Sequence, residues 1–203
     1  AAVFSFGPLA PYLQQDMGLS RTQVGLFTSA LYLGGILISL SAGWLADRLG
    51  VRRLLILGPL IQGVFFALFP YTTSFLAAFF LVALSGVGYG FMNPVVIKAL
   101  LNWFTAQDRA TAVSVKQTGV TAGAALAAAV LPPLAIVMSW RSAVPLVGLF
   151  IVGVGIACLL IYRNPPVEEK RAEQAPKPAG TPLRKLLTDR NLLLLGVMSA
   201  FLA

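Results

Sequence analysis

Five stretches of this chain, residues 24–45, 54–71, 75–100, 110–138 and 142–162, are long, apolar and nearly free of charge. Each reaches about 18 residues, the length at which an apolar run reads as a membrane-spanning helix. The expected fold class is therefore an all-α polytopic membrane protein, with the lipid bilayer as a partner.

Composition agrees. Hydrophobic residues make up 58% of the 203 and charged residues only 11%, with a mean hydropathy of +0.83. A soluble domain carries roughly 25% charged residues. The net charge of +8 could suggest nucleic acid, but its distribution excludes that partner. Arg48, Arg52 and Arg53 share one loop, Lys98 and Arg109 flank another, and seven more basic residues lie between Arg163 and Arg190. Twelve of 15 basic residues thus fall in alternate loops, the positive-inside pattern. Assigned to the cytoplasm, these loops leave only Arg21 and Arg141 outside, and Trp140 suits an interface.

Residues 1–13 read as the end of a first helix, with Gly7, Pro8 and Pro11 near its exit, followed by an outer loop over 14–23. Helices two to six then cover the five apolar stretches. Residues 163–190 hold five prolines and eleven charges, too polar to span or to build a core. They read as a cytoplasmic linker, in which TPLRKLLTDR could lie as a surface amphipathic helix. Residues 191–203 begin a seventh helix. The expected organisation is a six-helix bundle over 1–162 with a truncated first helix, then the linker, then that start. The chain opens and closes inside apolar segments and has no initiator methionine, so it reads as a fragment of a longer protein.

Cys158 stands alone and histidine is absent, which removes disulfides and the commonest metal ligand and general base. No intramembrane acid–base cluster, metal set, nucleophile arrangement or phosphate-binding glycine loop is visible. The chain is not expected to be an enzyme, and no cofactor is expected.

Charge concentrates in GWLADRLGVRRLL, residues 43–55. A tight topology-setting turn accounts for the arginines. It does not account for Asp47, which beside arginines can form a switchable ion pair, nor for Gly43 and Gly50, which permit close approach and turning. The stretch resembles the signature between helices two and three of the major facilitator superfamily: glycine, three residues, aspartate, a basic residue, any residue, glycine, then basic residues. Gly43, Asp47, Arg48, Gly50, Arg52 and Arg53 occupy that pattern. Val51 departs from it, where the family usually has a basic residue. The resemblance extends over the whole chain, as the amino-terminal six-helix half, the central linker and the start of helix seven.

This resemblance implies a twelve-helix fold, each half built of two inverted three-helix repeats, with the substrate site near the bilayer midplane between the halves. It implies a secondary active transporter working by alternating access in a membrane such as the bacterial inner membrane, with the carboxy-terminal half as partner. It also implies that the charged loop is a cytoplasmic gate. Asp47 would hold the inside shut against a helix N-terminus of the other half, where a carboxylate gains typically 0.3–1 kcal/mol, with Arg48 and Arg52 as its partners.

For the site, the residues themselves offer two polar stripes. Thr28, Tyr32 and Ser39 align on helix two, and Ser85, Tyr89 and Asn93 on helix four, with Pro94 as a kink. Ordinary helix–helix hydrogen bonding competes as an explanation of both. Helix five carries the outlier, Lys116, about six residues or 9 Å in from the cytoplasmic end. A lysine at mid-span costs about 2.5–3.5 kcal/mol. It either serves a cavity or snorkels to the nearby surface, and Gly119, Gly123 and Ala127 on its face leave close packing open as well. Gln117 is a weaker companion.

All seven acids lie in loops, linker or helix ends, so no intramembrane carboxylate awaits a cationic drug. The glycine–proline motif of the family's drug–proton antiporters is missing from GVTAGAALAAA. Their basic residue in helix four is missing from FLVALSGVGYGF. A lone buried cation suits a small organic or inorganic anion as substrate, by symport or antiport, with proton coupling open. Multidrug or sugar transport, and a non-transporting scaffold or receptor, are the alternatives.

Overall fold

The computed structural model describes residues 2–104 and 107–162. The expected linker and seventh helix lie outside the described residues. Among the described residues there is no strand, and six helices follow one another. A 3₁₀ turn, Ala2–Ser5, leads into α1 (Phe6–Met17). Then come α2 (Arg21–Leu49), α3 (Val51–Leu68) with a 3₁₀ turn Phe69–Tyr71, α4 (Phe75–Trp103), α5 (Arg109–Met138) and α6 (Trp140–Ile161).

The connections are shorter than the sequence suggests. The outer loop expected over 14–23 shrinks to residues 18–20, because α1 runs on to Met17 and ends on Gly18 at φ 64°. Ser20 then opens α2 with a capping box: its hydroxyl accepts from the Gln23 amide and its own amide donates to the Gln23 side chain. The charged stretch 43–55 is not a loop either. Asp47 and Arg48 lie within α2, and the reversal into α3 falls on Gly50 alone, at φ 83°. Glycine reaches that region without the steric penalty a side chain meets. Ser139, also at positive φ, makes the corresponding turn into α6, so Trp140 and Arg141 begin a helix rather than sit in a loop.

Five helices, counting the turn after α3, are 21 to 30 residues long and apolar enough to cross a membrane. At 1.5 Å per residue each covers the roughly 30 Å hydrocarbon layer. The protein is an integral, multi-pass membrane protein. Its many exposed leucines, valines and isoleucines suit lipid better than water.

Two apolar clusters hold the bundle. Toward the Ser139 end, aromatic rings interlock, with Phe6 against Phe27 and Phe66 at 5.9 and 5.8 Å, and Phe69 against Trp140 at 5.9 Å. Toward the Gly50 end, Ala42 and Ala46 of α2 meet Val51 and Leu54 of α3 and Phe91 and Val95 of α4. Between the clusters the helices touch backbone to backbone. A Cβ placed on Gly34 would stand 1.9 Å from the Ala83 carbonyl oxygen, and one on Gly63 2.5 Å from that of Gly148. Without a hydrophobic force between helices in lipid, such close approach is what holds them together.

The pairing has an internal symmetry. α2 packs on α4 and α1 on α5; α3 packs on α4 and α1 on α6; α3 packs on α6. Exchanging α1 with α4, α2 with α5 and α3 with α6 maps these contacts onto one another. Short turns make successive helices antiparallel, so equivalent helices three apart run oppositely. The two three-helix repeats are therefore inverted.

Candidate functional site

The 3₁₀ turn Ala2–Ser5, with Val3 and Phe4, and helices α2, α4 and α5 line a cleft of about 830 Å³, with Gln62 of α3 in its wall. α4 supplies Tyr89 and Asn93, one turn apart on one face, and α2 supplies Tyr32 and Ser39. The Tyr32 and Tyr89 rings meet edge to face, 6.1 Å apart at 80°. α5 contributes Lys116 and Gln117, and beside them the bare backbone of Gly119 and Gly123.

Lys116 lies on the cleft wall. Its ammonium donates to Asn93 Oδ1 at 2.6 Å, which links α5 to α4. Among the described residues no aspartate or glutamate lines the cleft. Its electrostatics are set by one cation, held by a neutral amide and surrounded by phenols and amides. Such a bond to a charged donor is stronger than a neutral pair, yet it leaves the positive charge uncompensated. The close-packing role open to Gly119 and Gly123 is not met here, because a Cβ on either would find nothing within 4 Å.

Two candidates fall outside. Ser85 is fully buried and donates to the Gln62 carbonyl at 2.9 Å, fastening α4 to α3. Thr28 is half-buried and does not line the cleft. Both share a helical stripe with the lining residues, but the stripe curves off the cleft within a turn or two. Sequence reasoning missed Gln62. Its signal was plain in retrospect, as the one amide in the apolar run LLILGPLIQGVFFALF.

At the Gly50 end, the expected arginine partners of Asp47 are replaced. Asp47 pairs with Lys98 of α4. Arg48, the next residue on the helix, points away from Asp47 and stacks over Trp44 at 4.2 Å, since adjacent helical residues do not face each other. Arg52 lies beyond the Gly50 turn and donates to the Leu159 carbonyl at 3.0 Å, satisfying a free acceptor at the end of α6. Arg53 is exposed, and Gly43 makes no close helix contact. At the opposite end a second cluster was not foreseen. The Asp16 carboxylate accepts from Arg141 Nε at 2.7 Å and Trp140 Nε1 at 2.8 Å, and Arg141 Nη1 donates to the Pro70 carbonyl at 3.0 Å. The hydrogen bond from Arg141, then that from Trp140, holds the carboxyl below its ordinary range.

Known proteins share this plan. The chain is 30% identical to a probable L-galactonate transporter of Escherichia coli over 83% of its own length and 38% of the relative's. It is 27% identical to a hexuronate transporter of Bacillus subtilis, over 65% of the chain and 31% of the relative. It is 28% identical to the membrane sensor protein UhpC of Salmonella typhimurium, over 80% and 37%. The chain thus spans about a third of the length of these relatives. The family model of the Major Facilitator Superfamily matches residues 1–203. With its six antiparallel helices, inverted triplets and central cleft, the chain belongs to the major facilitator superfamily.

Proposed function

We propose that this chain is the amino-terminal half of a secondary transporter for a small organic anion, working by alternating access. The observation that carries the reading is Lys116 on the cleft wall, with no carboxylate lining the cleft among the described residues. A carboxylate or sulfonate entering there gains a charge-assisted bond and neutralises a charge that lipid alone would penalise. Relatives named for hexuronate, L-galactonate and sulfoacetate support an organic acid over an inorganic ion. The absence of a lining carboxylate speaks against cationic drugs.

In this reading the basic end is cytoplasmic, the linker over 163–190 lies on that side, and the membrane is the bacterial inner membrane. Asp47, held by Lys98, acts with Gly43, Arg48, Gly50, Arg52 and Arg53 as the cytoplasmic gate. Tyr32, Tyr89, Asn93 and Gln117 position the substrate around Lys116.

The test is anion affinity of Lys116→Gln in the folded full-length protein. A lost hydrogen bond to a charged group, about 1.5–3 kcal/mol, predicts a fall of roughly 10- to 100-fold. An affinity within about twofold of wild type, under 0.5 kcal/mol, would remove Lys116 from the site. The likeness to a membrane sensor favours a second reading, in which anion binding signals without transport. Binding without uptake of labelled anion into liposomes would select it.

A further inference from the structure

Gln62 occupies an unusual place. It sits on α3, which packs behind α4 and against α6 rather than facing the cleft as α2, α4 and α5 do. Its backbone is tied there, with its carbonyl accepting from Ser85 and its amide nitrogen packed 2.4 Å from where a Gly88 Cβ would lie. Only glycine at position 88 lets α4 come so near. The residue is 8% exposed and still lines the cleft. Among the described residues no protein group hydrogen-bonds its side-chain amide.

The side-chain amide, open to the cleft, carries two donors and an acceptor, and a ligand that covered it without meeting them would cost about 1–3 kcal/mol. Polar groups so placed almost always have a partner. Hydrophobic packing would be served better by leucine or methionine at this position. The amide therefore meets something in the cleft, water when the site is empty and a ligand group when it is filled. A neutral amide adds little for a carboxylate already held by Lys116. It suits a hydroxyl, which donates and accepts in turn.

We propose that Gln62 is a specificity-determining residue that reads a hydroxyl group of the organic anion from the floor of the cleft. The substrate is then a hydroxylated acid, with its carboxylate at Lys116 and its hydroxyl-bearing carbons directed toward α3. Tyr32 and Tyr89, whose phenols offer the same dual capacity, border the path between. This assignment rests on the anion reading of the same cleft. A site built to hydrogen-bond a hydroxyl rejects the analogue that lacks it, because its polar groups are then left unpaired.

The experiment measures binding of galactonate and of hexanoate, six-carbon carboxylates with and without hydroxyls, to the full-length protein in detergent. Wild type, Gln62→Met and Lys116→Gln are compared. Gln62→Met keeps volume and unbranched shape while removing the amide. It should weaken galactonate roughly 3- to 10-fold, the range for one neutral hydrogen bond, and leave hexanoate within about twofold. Lys116→Gln should weaken both acids. Should the methionine variant fail to fold, Gln62→Leu also removes the amide without adding charge and should weaken galactonate by a similar factor while leaving hexanoate within about twofold. An unchanged ratio of the two affinities in Gln62→Met, or in Gln62→Leu where that variant stands in, overturns the role of Gln62 while leaving the anion reading intact. Loss of neither acid in Lys116→Gln, or binding of neither by wild type, overturns the anion reading and this inference with it.

Discussion

Replacing Gly86 by alanine tests whether the cleft walls are held by backbone contact. A Cβ at this position would stand 2.0 Å from the Leu31 carbonyl oxygen and 2.9 Å from its Cα. Real Cβ atoms essentially never come nearer than 3.0 Å, so α2 and α4 must part locally by about 1 Å. The obstructing atoms are backbone and cannot rotate aside. Overpacking of this kind costs typically 1–3 kcal/mol, and the rigid obstacle places it in the upper part of that range. Alanine recovers about 0.8–1.0 kcal/mol of helix propensity. The net loss is about 1–2 kcal/mol, which lowers Tm. The matched control is Gly25→Ala on α2, where nothing lies within 4 Å of the added carbon and the propensity gain stands alone. Thermal unfolding of the full-length variants in one detergent reads the difference, and anion affinity reads the displacement of Tyr32 from Tyr89. Equal Tm values for Gly86→Ala and Gly25→Ala would refute the backbone-contact account of the α2–α4 seam.

At the Ser139 end, the Asp16 carboxyl titrates below its ordinary value of 3.8 in the folded protein. The stability it contributes is therefore fully present above 3.8 and is lost as pH falls from there toward the folded value. Tm measured from about pH 6 to about pH 3 should fall less steeply at the acid end in Asp16→Asn than in wild type, and parallel curves would exclude the contribution. At the basic end, Asp47→Asn and Lys98→Gln should each raise cysteine-probe labelling of the cytoplasmic face in the full-length protein. Each should shift stability by less than about 1 kcal/mol, because the pair is largely exposed. Unchanged labelling with normal transport would leave the motif as a topology signal only.

The sequence by itself determined the solvent, the helix count and the order of spans, because in lipid the length of an apolar run and the placement of arginines dictate what crosses and what does not. It also singled out Lys116, since an ammonium inside a span is costly enough to need a reason. The helix ends were legible only to within several residues. Asp47 and Arg48 look like loop residues by charge, yet a helix carries charge freely once it leaves the hydrocarbon, so α2 runs on to Leu49. What surrounds each candidate was decided in tertiary structure alone. Periodicity places Ser85, Tyr89 and Asn93 on one stripe, but whether that stripe meets α3 or the cleft depends on where glycines let neighbouring helices approach. Hence Ser85 is buried against Gln62 while Asn93 receives Lys116. The Asp47–Lys98 and Asp16–Arg141 pairs span 51 and 125 residues of chain. No local pattern encodes such distances, and only the inverted packing of the two triplets brings those charges together.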